Sequence, residues 1–238
     1  LIGVFNAQHN EYSAFPPNRI RLLEALADHI ATAIENARMF QRERMEKERM
    51  KKELSEARQI QLGLFPGQPP GIPGFVVNGL CLPCQEVGGD WYDYIPLHDG
   101  RLAVVLADVS GKGMGAALLM SSTRTVLRLV AETGSPPGEV LSRVNSILLR
   151  DFPTTKFVTM VYGVLDPENR SIVFASAGHP HPLFVDARGA RFLGTEAGLP
   201  LGIREGSFSE RVVQMTSGSS LVFYSDGVTE ALNPSLDQ

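Results

Sequence analysis

Three aspartates stand at the ends of apolar, strand-like segments, and their carboxylates are the groups best suited to chemistry in this sequence. Asp90 falls within "EVGGDWYD", Asp108 within "VVLADVSGKG" and Asp226 within "LVFYSDG". An aspartate beside a buried strand is costly unless a partner compensates its charge. Lys112 is the one basic residue close to Asp108 or Asp226 in these segments. A bound cation is therefore a candidate partner, and hard oxygen ligands favour Mg²⁺ or Mn²⁺ over Zn²⁺.

Turn formation is the alternative interpretation of each aspartate taken singly. Asp226-Gly227 and Asp99-Gly100 both have the composition of a tight turn, and Asp99 is interpreted as one because no apolar strand leads into it. Asp90, Asp108 and Asp226 each adjoin a strand, and that coincidence favours a shared site. In "EVGGDWYD" the paired glycines allow close backbone approach. Trp91 and Tyr92 are expected to anchor the strand in the core, Glu86 is expected at the surface, and Asp93 is left undecided.

The segment "SGKGMGAALL" offers a competing dinucleotide site. Gly111, Gly113 and Ala116 match G-x-G-x-x-[GA] between a strand and a helix. A second helix follows the first, however, whereas a dinucleotide fold needs a strand that ends in an acid about twenty residues on. The glycines are better explained by a chain that passes close to a phosphate or metal site.

Other candidate groups are weaker. His179 and His181 have the spacing of a zinc pair, but the prolines beside them and the lack of a third ligand favour a structured loop. The two cysteines form one isolated C-x-x-C, Cys81 to Cys84, which is interpreted as two apolar side chains on a strand rather than a redox pair. Ser110 and Ser225 lack a predictable base to activate them.

The elements that must position the aspartates have an α+β order. Strand-like segments "FVVNGLCLP" and "RLAVVLADVS" precede two adjacent helices, and "KFVTMVYGVLD", "RSIVFASAG", "HPLFVDARG" and "SSLVFYSDGV" follow them. This order predicts a mostly antiparallel sheet. The net charge of −4 gives no support for nucleic-acid binding, and no apolar run is long enough for a membrane span. We expect a cytoplasmic protein.

A long helix is predicted before this domain, from Asn18 to about Leu62. Its first half carries apolar residues at steps of three and four, and its middle, residues 41–53, is almost wholly charged. This pattern favours a homodimer joined through a parallel coiled coil. The preceding "LIGVFNA" is predicted to be a short strand, and "PGQPPGIPG" marks a domain boundary.

Six sequence blocks then carry a family resemblance. The blocks "EVGGDWYD", "ADVSGKGMGAALLM", "FVTMVYGVLD", "ASAGHPHPLF", "LPLGI" and "YSDGVTEA" resemble, in this order, the bacterial PPM-type (type 2C-like) metal-dependent serine/threonine phosphatases of the SpoIIE and RsbU class. Residues 1–40 are similar to the C-terminal end of a GAF sensor domain, and residues 41–66 to a helical linker. Residues 67–238 then correspond to the phosphatase domain.

The resemblance implies an α-β-β-α sandwich with two divalent cations, Mn²⁺ or Mg²⁺. Asp108 is expected to bridge both cations with help from the Val109 carbonyl, Asp226 to bind one of them, and Asp90 to reach them through water. Asp93 is a weaker candidate. A further aspartate block of the family is missing before Gln238, so the phosphatase domain is expected to be C-terminally incomplete.

The implied function is a protein serine/threonine phosphatase controlled by an N-terminal sensor. Its implied substrate is a phosphorylated anti-sigma factor antagonist of the STAS type. The alternative is a catalytically inactive, phosphatase-like binding module in the same pathway. The linker is expected to transmit its signal through Ile60, Leu62 and Leu64, packed against the catalytic domain.

Overall fold

A computed structural model describes residues 2–12, 15–82, 86–152, 155–195 and 198–231. The chain divides into two compact units, Leu1–Ser55 and Glu56–Gln238. Helix α1 extends over Pro17–Leu62, as predicted, so its last two turns belong to the second unit. Across the described residues, no helix is both long enough and apolar enough to span a membrane.

The first unit consists mainly of helix α1. Residues 2–9 form neither helix nor strand, so the strand predicted for "LIGVFNA" is wrong. A strand requires a hydrogen-bonded neighbour, and none of the described residues supplies one. The charged middle of the helix carries ion pairs four residues apart, for example Arg44 with Glu48, which support an exposed helix.

The second unit contains two antiparallel sheets, two longer helices and a single helical turn. The strands are β1 Trp91–Pro96, β2 Leu102–Val109, β3 Val158–Asp166, β4 Ser171–Ala177, β5 Leu183–Asp186, β6 Gly189–Phe192, β7 Glu210–Gln214 and β8 Ser220–Val222. The helices are α2 Met114–Ala131, α3 Pro137–Asp151 and the four-residue α4 Asp226–Thr229. One sheet has the order β1-β2-β3-β4-β7, and the other has the order β6-β5-β8.

Two hydrophobic clusters hold these layers together. One packs helices α2 and α3 on the five-stranded sheet and includes the buried side chains of Trp91, Met120 and Leu141. The other includes Phe174 of the larger sheet and Phe184 of the smaller one, so it fills the space between the sheets. The described residues therefore form an α-β-β arrangement, and the outer helical layer of the predicted α-β-β-α sandwich is not among them.

Most of the strands predicted for the second unit are observed, with one error and two omissions among the described residues. Residues 75–82 of "FVVNGLCLP" form no strand beyond an isolated bridge between Ile72 and Phe75, so that strand prediction is wrong for the described part. Strands β6 and β7 were not predicted. Both are largely exposed, so they lack the long apolar run that identifies a buried strand in sequence.

Candidate active site

The three aspartates come from three separate places in the second unit and meet at one end of the sheets. Asp108 lies at the end of β2, Asp90 directly precedes β1, and Asp226 begins α4. The hydroxyl of Ser225 donates a 2.8 Å hydrogen bond to Oδ2 of Asp90, which joins positions 135 residues apart. Asp226 is exposed, however, so the predicted cost of burial applies to Asp108 rather than to Asp226.

The electrostatics of Asp108 show how close these carboxyl groups are. Burial, a hydrogen bond with Asp90 and the negative charges of Asp90 and Asp226 raise the pKa of Asp108 to about 8. Each of these causes disfavours the ionised form. The fold thus concentrates acidic groups at this point, and among the described residues no basic side chain contributes to lowering the pKa of Asp108.

Gly89 explains how the backbone of the "EVGGDWYD" segment reaches Asp108. A Cβ atom at Gly89 would lie 2.6 Å from the Val109 carbonyl oxygen and 3.2 Å from Oδ1 of Asp108. The first distance is shorter than real contacts allow, so a larger residue would push the two segments apart. This confirms the prediction of close approach for one of the paired glycines. It also places the Val109 carbonyl beside Asp108 and against Gly89.

A cleft of about 340 Å³ opens beside Asp108 and Asp226. Its remaining lining residues are Thr159, Gly178, His179, Pro180 and His181. No sequence pattern had joined the histidine segment to the aspartates. A larger groove of about 1040 Å³ lies elsewhere, along apolar residues such as Val104 and Leu221 between the sheets, and none of the three aspartates lines it.

His179, which the sequence favoured as part of a structured loop rather than a zinc ligand, lies in the cleft beside Asp108 and Asp226. Its side chain is 5% exposed, and its Nδ1 lies 3.0 Å from Oγ1 of Thr159. Burial lowers the pKa of His179 to about 4, against smaller opposing effects of the Asp90 charge and the Tyr224 backbone. The imidazole is therefore neutral near pH 7. The available signal was a histidine two residues after β4, at the sheet end where β2 carries Asp108.

Asp93, which the sequence left undecided, does not belong to this site. It is fully buried on β1 and accepts two 2.7 Å hydrogen bonds from Arg128 of α2. Arg124, one helical turn earlier, lies 2.9 Å from the same carboxylate. Two guanidinium groups therefore compensate this charge within the protein, and Asp93 has a structural role that joins β1 to α2.

The end of helix α1 contacts the segment that leads to Asp90. Nε2 of Gln61 donates to the Gly88 carbonyl at 2.7 Å, and the Gly88 N–H donates to Oε1 of Gln61 at 3.1 Å. Arg58 pairs with Glu86 at 3.3 Å, and both side chains are 45% exposed. Glu86 is thus a surface charge, as predicted. Gln61 was not predicted, because a single buried glutamine gives no periodic signal.

The linker residues chosen from the sequence are only partly correct. Leu64 packs against the core under the helices, whereas Ile60 is 72% exposed and Leu62 is 44% exposed. The apolar residues at this end of the helix therefore do not share one buried face. Gln61 is the buried residue here, and it contacts the domain through hydrogen bonds.

The remaining candidates take no part in a second site. Gly111 and Gly113 have positive φ angles of 98° and 74°, which glycine adopts without strain, and Gly113 caps helix α2. The hydroxyl of Ser110 accepts a hydrogen bond from the Phe157 N–H. Cys81 is a free thiol within the described part of the chain, and Cys84 lies outside that part.

The donor atoms at the aspartates fit a hard divalent cation. Carboxylate oxygens that repel one another and raise the pKa of Asp108 are the groups that Mg²⁺ or Mn²⁺ would stabilise. Within the described residues, no three His, Cys, Asp or Glu side chains form a complete metal-binding cluster. The site is therefore a group of neighbouring carboxylates with suitable ligand atoms, and the described residues do not form a complete coordination shell.

Solved structures identify the class of this fold. The PP2C domain of SiaA from Pseudomonas aeruginosa is 20% identical, with a TM-score of 0.62 over 76% of this chain and 73% of that chain. The RsbU and RsbW domains of a Mycobacterium tuberculosis protein are 37% identical, with a TM-score of 0.56 over 62% of this chain and 41% of that chain. The second unit therefore has the mixed α/β fold with antiparallel sheets of the PP2C phosphatases.

The family follows from the sequence match. The model of the family "Stage II sporulation protein E (SpoIIE)" matches residues 98–238, more than half of the chain. The chain belongs to the SpoIIE family, whose PP2C-type phosphatases generally depend on divalent metals.

Curated relatives agree with this assignment. Phosphoserine phosphatase RsbU of Bacillus subtilis is 29% identical over 76% of this chain and 54% of its own length. Phosphoserine phosphatase RsbP of the same organism is 26% identical over 76% of this chain and 46% of its own length. The chain thus spans about half the length of these two relatives.

Proposed function

We propose that the second unit is the catalytic domain of a metal-dependent protein serine/threonine phosphatase. The observation that carries this proposal is the convergence of Asp90, Asp108 and Asp226 beside one cleft in a PP2C-type fold. Relatives named phosphoserine phosphatase support the reaction class. Hydrolysis of a phosphate ester on serine or threonine is the chemistry that best fits such a site.

The chain's own residues hold the acidic groups in place. Asp108 is fixed by its strand pairing, and the Val109 carbonyl beside it is the proposed backbone ligand. The Ser225 hydroxyl orients Asp90 through its hydrogen bond, so we assign this serine an orienting role. Asp226 stands exposed at the mouth of the cleft, where a phosphate group can approach it.

Two divalent cations, Mn²⁺ or Mg²⁺, are the proposed cofactors. When bound, such a pair supplies an activated water and neutralises phosphate oxygens for in-line displacement. Asp108 is the proposed shared ligand of both cations, Asp226 the ligand of one, and Asp90 a ligand that acts through water. The carboxylates thereby gain the positive charge that the described residues do not provide.

The proposed substrate is a phosphorylated protein regulator, of the anti-sigma factor antagonist type with a STAS fold. This proposal is supported by the relatives RsbU and RsbP, and by the structure that joins RsbU and RsbW domains in one protein. An open cleft of about 340 Å³ suits a phosphorylated side chain presented on a protein surface rather than an enclosed small molecule.

Regulation by an N-terminal sensor and homodimerisation through helix α1 complete the proposal. Residues 1–40 are the proposed end of a GAF-like sensor, and residues 41–66 are the proposed linker. Ile30 and Ile34 are 42% and 39% exposed and continue an apolar stripe from Ile20. A second copy of the helix would cover this stripe, as in a parallel coiled coil.

Phosphate release from a phosphoserine-containing regulator, with and without Mn²⁺, tests the function. We expect Mn²⁺-dependent release that EDTA abolishes and that Asp108→Asn lowers more than about a hundredfold. Asp99→Asn is the matched control, since Asp99 lies in an exposed turn paired with Arg101. A rate of phosphate release that does not change with EDTA or with the Asp108 substitution would refute the proposal. Substrate binding without release would instead support the inactive binding module.

A further inference from the structure

His179 has an environment that a purely structural role does not explain. The ring is 5% exposed, and its Nε2 atom is buried with no hydrogen bond of normal geometry among the described residues, although the Tyr224 backbone interacts with the ring. A buried polar atom in that condition destabilises the fold. An apolar residue of similar size would avoid this loss. The imidazole therefore requires an explanation beyond packing.

The position of Thr159 gives the ring a direct connection to Asp108. In the antiparallel register of β2 and β3, Thr159 stands opposite Asp108. Its hydroxyl lies 3.0 Å from Nδ1 of His179, so the residue across from the central aspartate fixes one side of the ring. Asp108, Thr159 and His179 all line the same cleft.

The His179 ring also lies near the segment that carries Asp226. His179 and Asp226 line the cleft together, and the charge of Asp90 and the backbone of Tyr224 both act on the imidazole. Tyr224 precedes Ser225, whose hydroxyl holds Asp90. The ring is thus placed between the strand pair that fixes Asp108 and the segment Tyr224–Asp226.

We propose that His179 is a positioning residue that, together with Thr159, sets the separation between Asp108 and Asp226. The inference rests on the proposed function and deepens it, because it adds a neutral side chain that orders the acidic groups for a cation. Outer partners of metal ligands have this effect elsewhere, and their loss typically lowers metal affinity or activity about 10- to 100-fold.

A double-mutant cycle between the two residues tests the proposal. His179→Phe keeps a ring and removes both nitrogens, whereas Thr159→Val keeps the shape and removes the hydroxyl. We expect each variant to bind Mn²⁺ about tenfold more weakly in calorimetry, and to lose kcat with little change in KM for the phosphoprotein. The double variant should bind Mn²⁺ no more weakly than the single variant with the lower affinity, because the two residues act as one unit.

Two further variants separate positioning from folding. Thr159→Ser retains the hydroxyl and should restore Mn²⁺ affinity to within about threefold of the wild type, a rescue that a packing role does not predict. His179→Asn keeps a polar group near the Nδ1 position and provides a second test if the phenylalanine variant does not fold. His98→Phe, in an exposed turn, is the control and should bind Mn²⁺ like the wild type.

The outcomes distinguish this inference from the proposed function. If the wild type binds Mn²⁺ and releases phosphate while the His179 and Thr159 variants match it, His179 is not a positioning residue. Variants that unfold at lower temperature without cation, yet bind Mn²⁺ with unchanged affinity, also overturn the inference. A wild type that neither binds Mn²⁺ nor releases phosphate refutes the proposed function itself, and this inference with it.

Discussion

Gln61 connects the end of helix α1 to the segment that positions Asp90, and its replacement by methionine should reduce catalysis. The side chain is 5% exposed and makes both a donor and an acceptor hydrogen bond with the backbone of Gly88. Methionine has a similar length and shape but can make neither bond. Gln61→Met therefore removes the connection while it largely preserves the packing of the helix.

The magnitude follows from the two hydrogen bonds. Each contributes a net of about 0.5–1.5 kcal/mol, and each leaves a partner group unpaired when it is broken. Gly88 is half-buried, so water can replace part of the loss. We expect the free energy of unfolding to fall by about 1–2 kcal/mol. If most of this energy holds Asp90 in its active position, kcat/KM falls roughly tenfold.

The assay compares Gln61→Met with Gln59→Met at saturating Mn²⁺. Gln59 lies on the same helix but is exposed, so its replacement tests for general effects of an added methionine. Phosphate release gives kcat and KM, urea unfolding gives stability, and hydrogen exchange at Gly88 reports whether the local bond is lost. We expect faster exchange at Gly88 and a lower kcat in the Gln61 variant, and no change in the control.

One result would refute this reasoning. Faster exchange at Gly88 with unchanged kcat and KM would show that the position of Asp90 does not depend on the helix. The linker would then have to act by another route, since Ile60 is exposed and cannot transmit a packing change within the described domain.

Three further predictions concern charge and assembly. Without divalent cation, the free energy of unfolding should fall as pH rises from about 6.5 to about 8. The pKa of Asp108 is raised to about 8 in the folded chain, which therefore keeps a proton there that the unfolded chain has already released. Asp108→Asn should remove this decrease of the free energy of unfolding with pH, as measured by urea unfolding. Below pH 6.5 the lowered pKa of His179 has the opposite effect on the free energy of unfolding. Arg128→Met should lower the free energy of unfolding by about 2 kcal/mol, because Asp93 loses one of its two guanidinium partners and keeps Arg124 and the Tyr94 N–H. Ile30→Glu should convert the proposed dimer to a monomer in sedimentation velocity, because it places a charge in the apolar stripe.

Much of the architecture was accessible from the sequence because local patterns determine it. The long helix, the two adjacent helices and the apolar strands all have strong periodicity or long apolar runs. Strands β6 and β7 lack such runs, and the pairing of β7 depends on a distant partner, β4, whereas β6 pairs with the adjacent β5. The segment 75–82 shows the opposite error, because apolar residues alone do not provide a neighbouring strand to pair with.

Some residues of the candidate site were likewise recognisable from the sequence, and others were not. Asp90, Asp108 and Asp226 were recognisable because each adjoins an apolar segment, and their meeting in the fold agrees with that interpretation. His179 and Gln61 act through contacts with residues 20 and 27 positions away; the His-x-His spacing pointed to a zinc pair rather than to this contact, and no local pattern marks Gln61. Their roles follow from strand register and helix docking, which a single sequence does not specify.

The contrast between Asp93 and Asp108 indicates what the site requires. Asp93 lies on the edge strand β1 and Asp108 on its neighbour β2, and burial disfavours the charge of each. For Asp93 the fold supplies Arg124 and Arg128 from one face of helix α2. For Asp108 it supplies Asp90 and Asp226, which increase the electrostatic cost. The fold compensates Asp93 with two guanidinium groups and surrounds half-buried Asp108 with acids, and this difference is the physical basis for our proposal that a bound cation compensates Asp108.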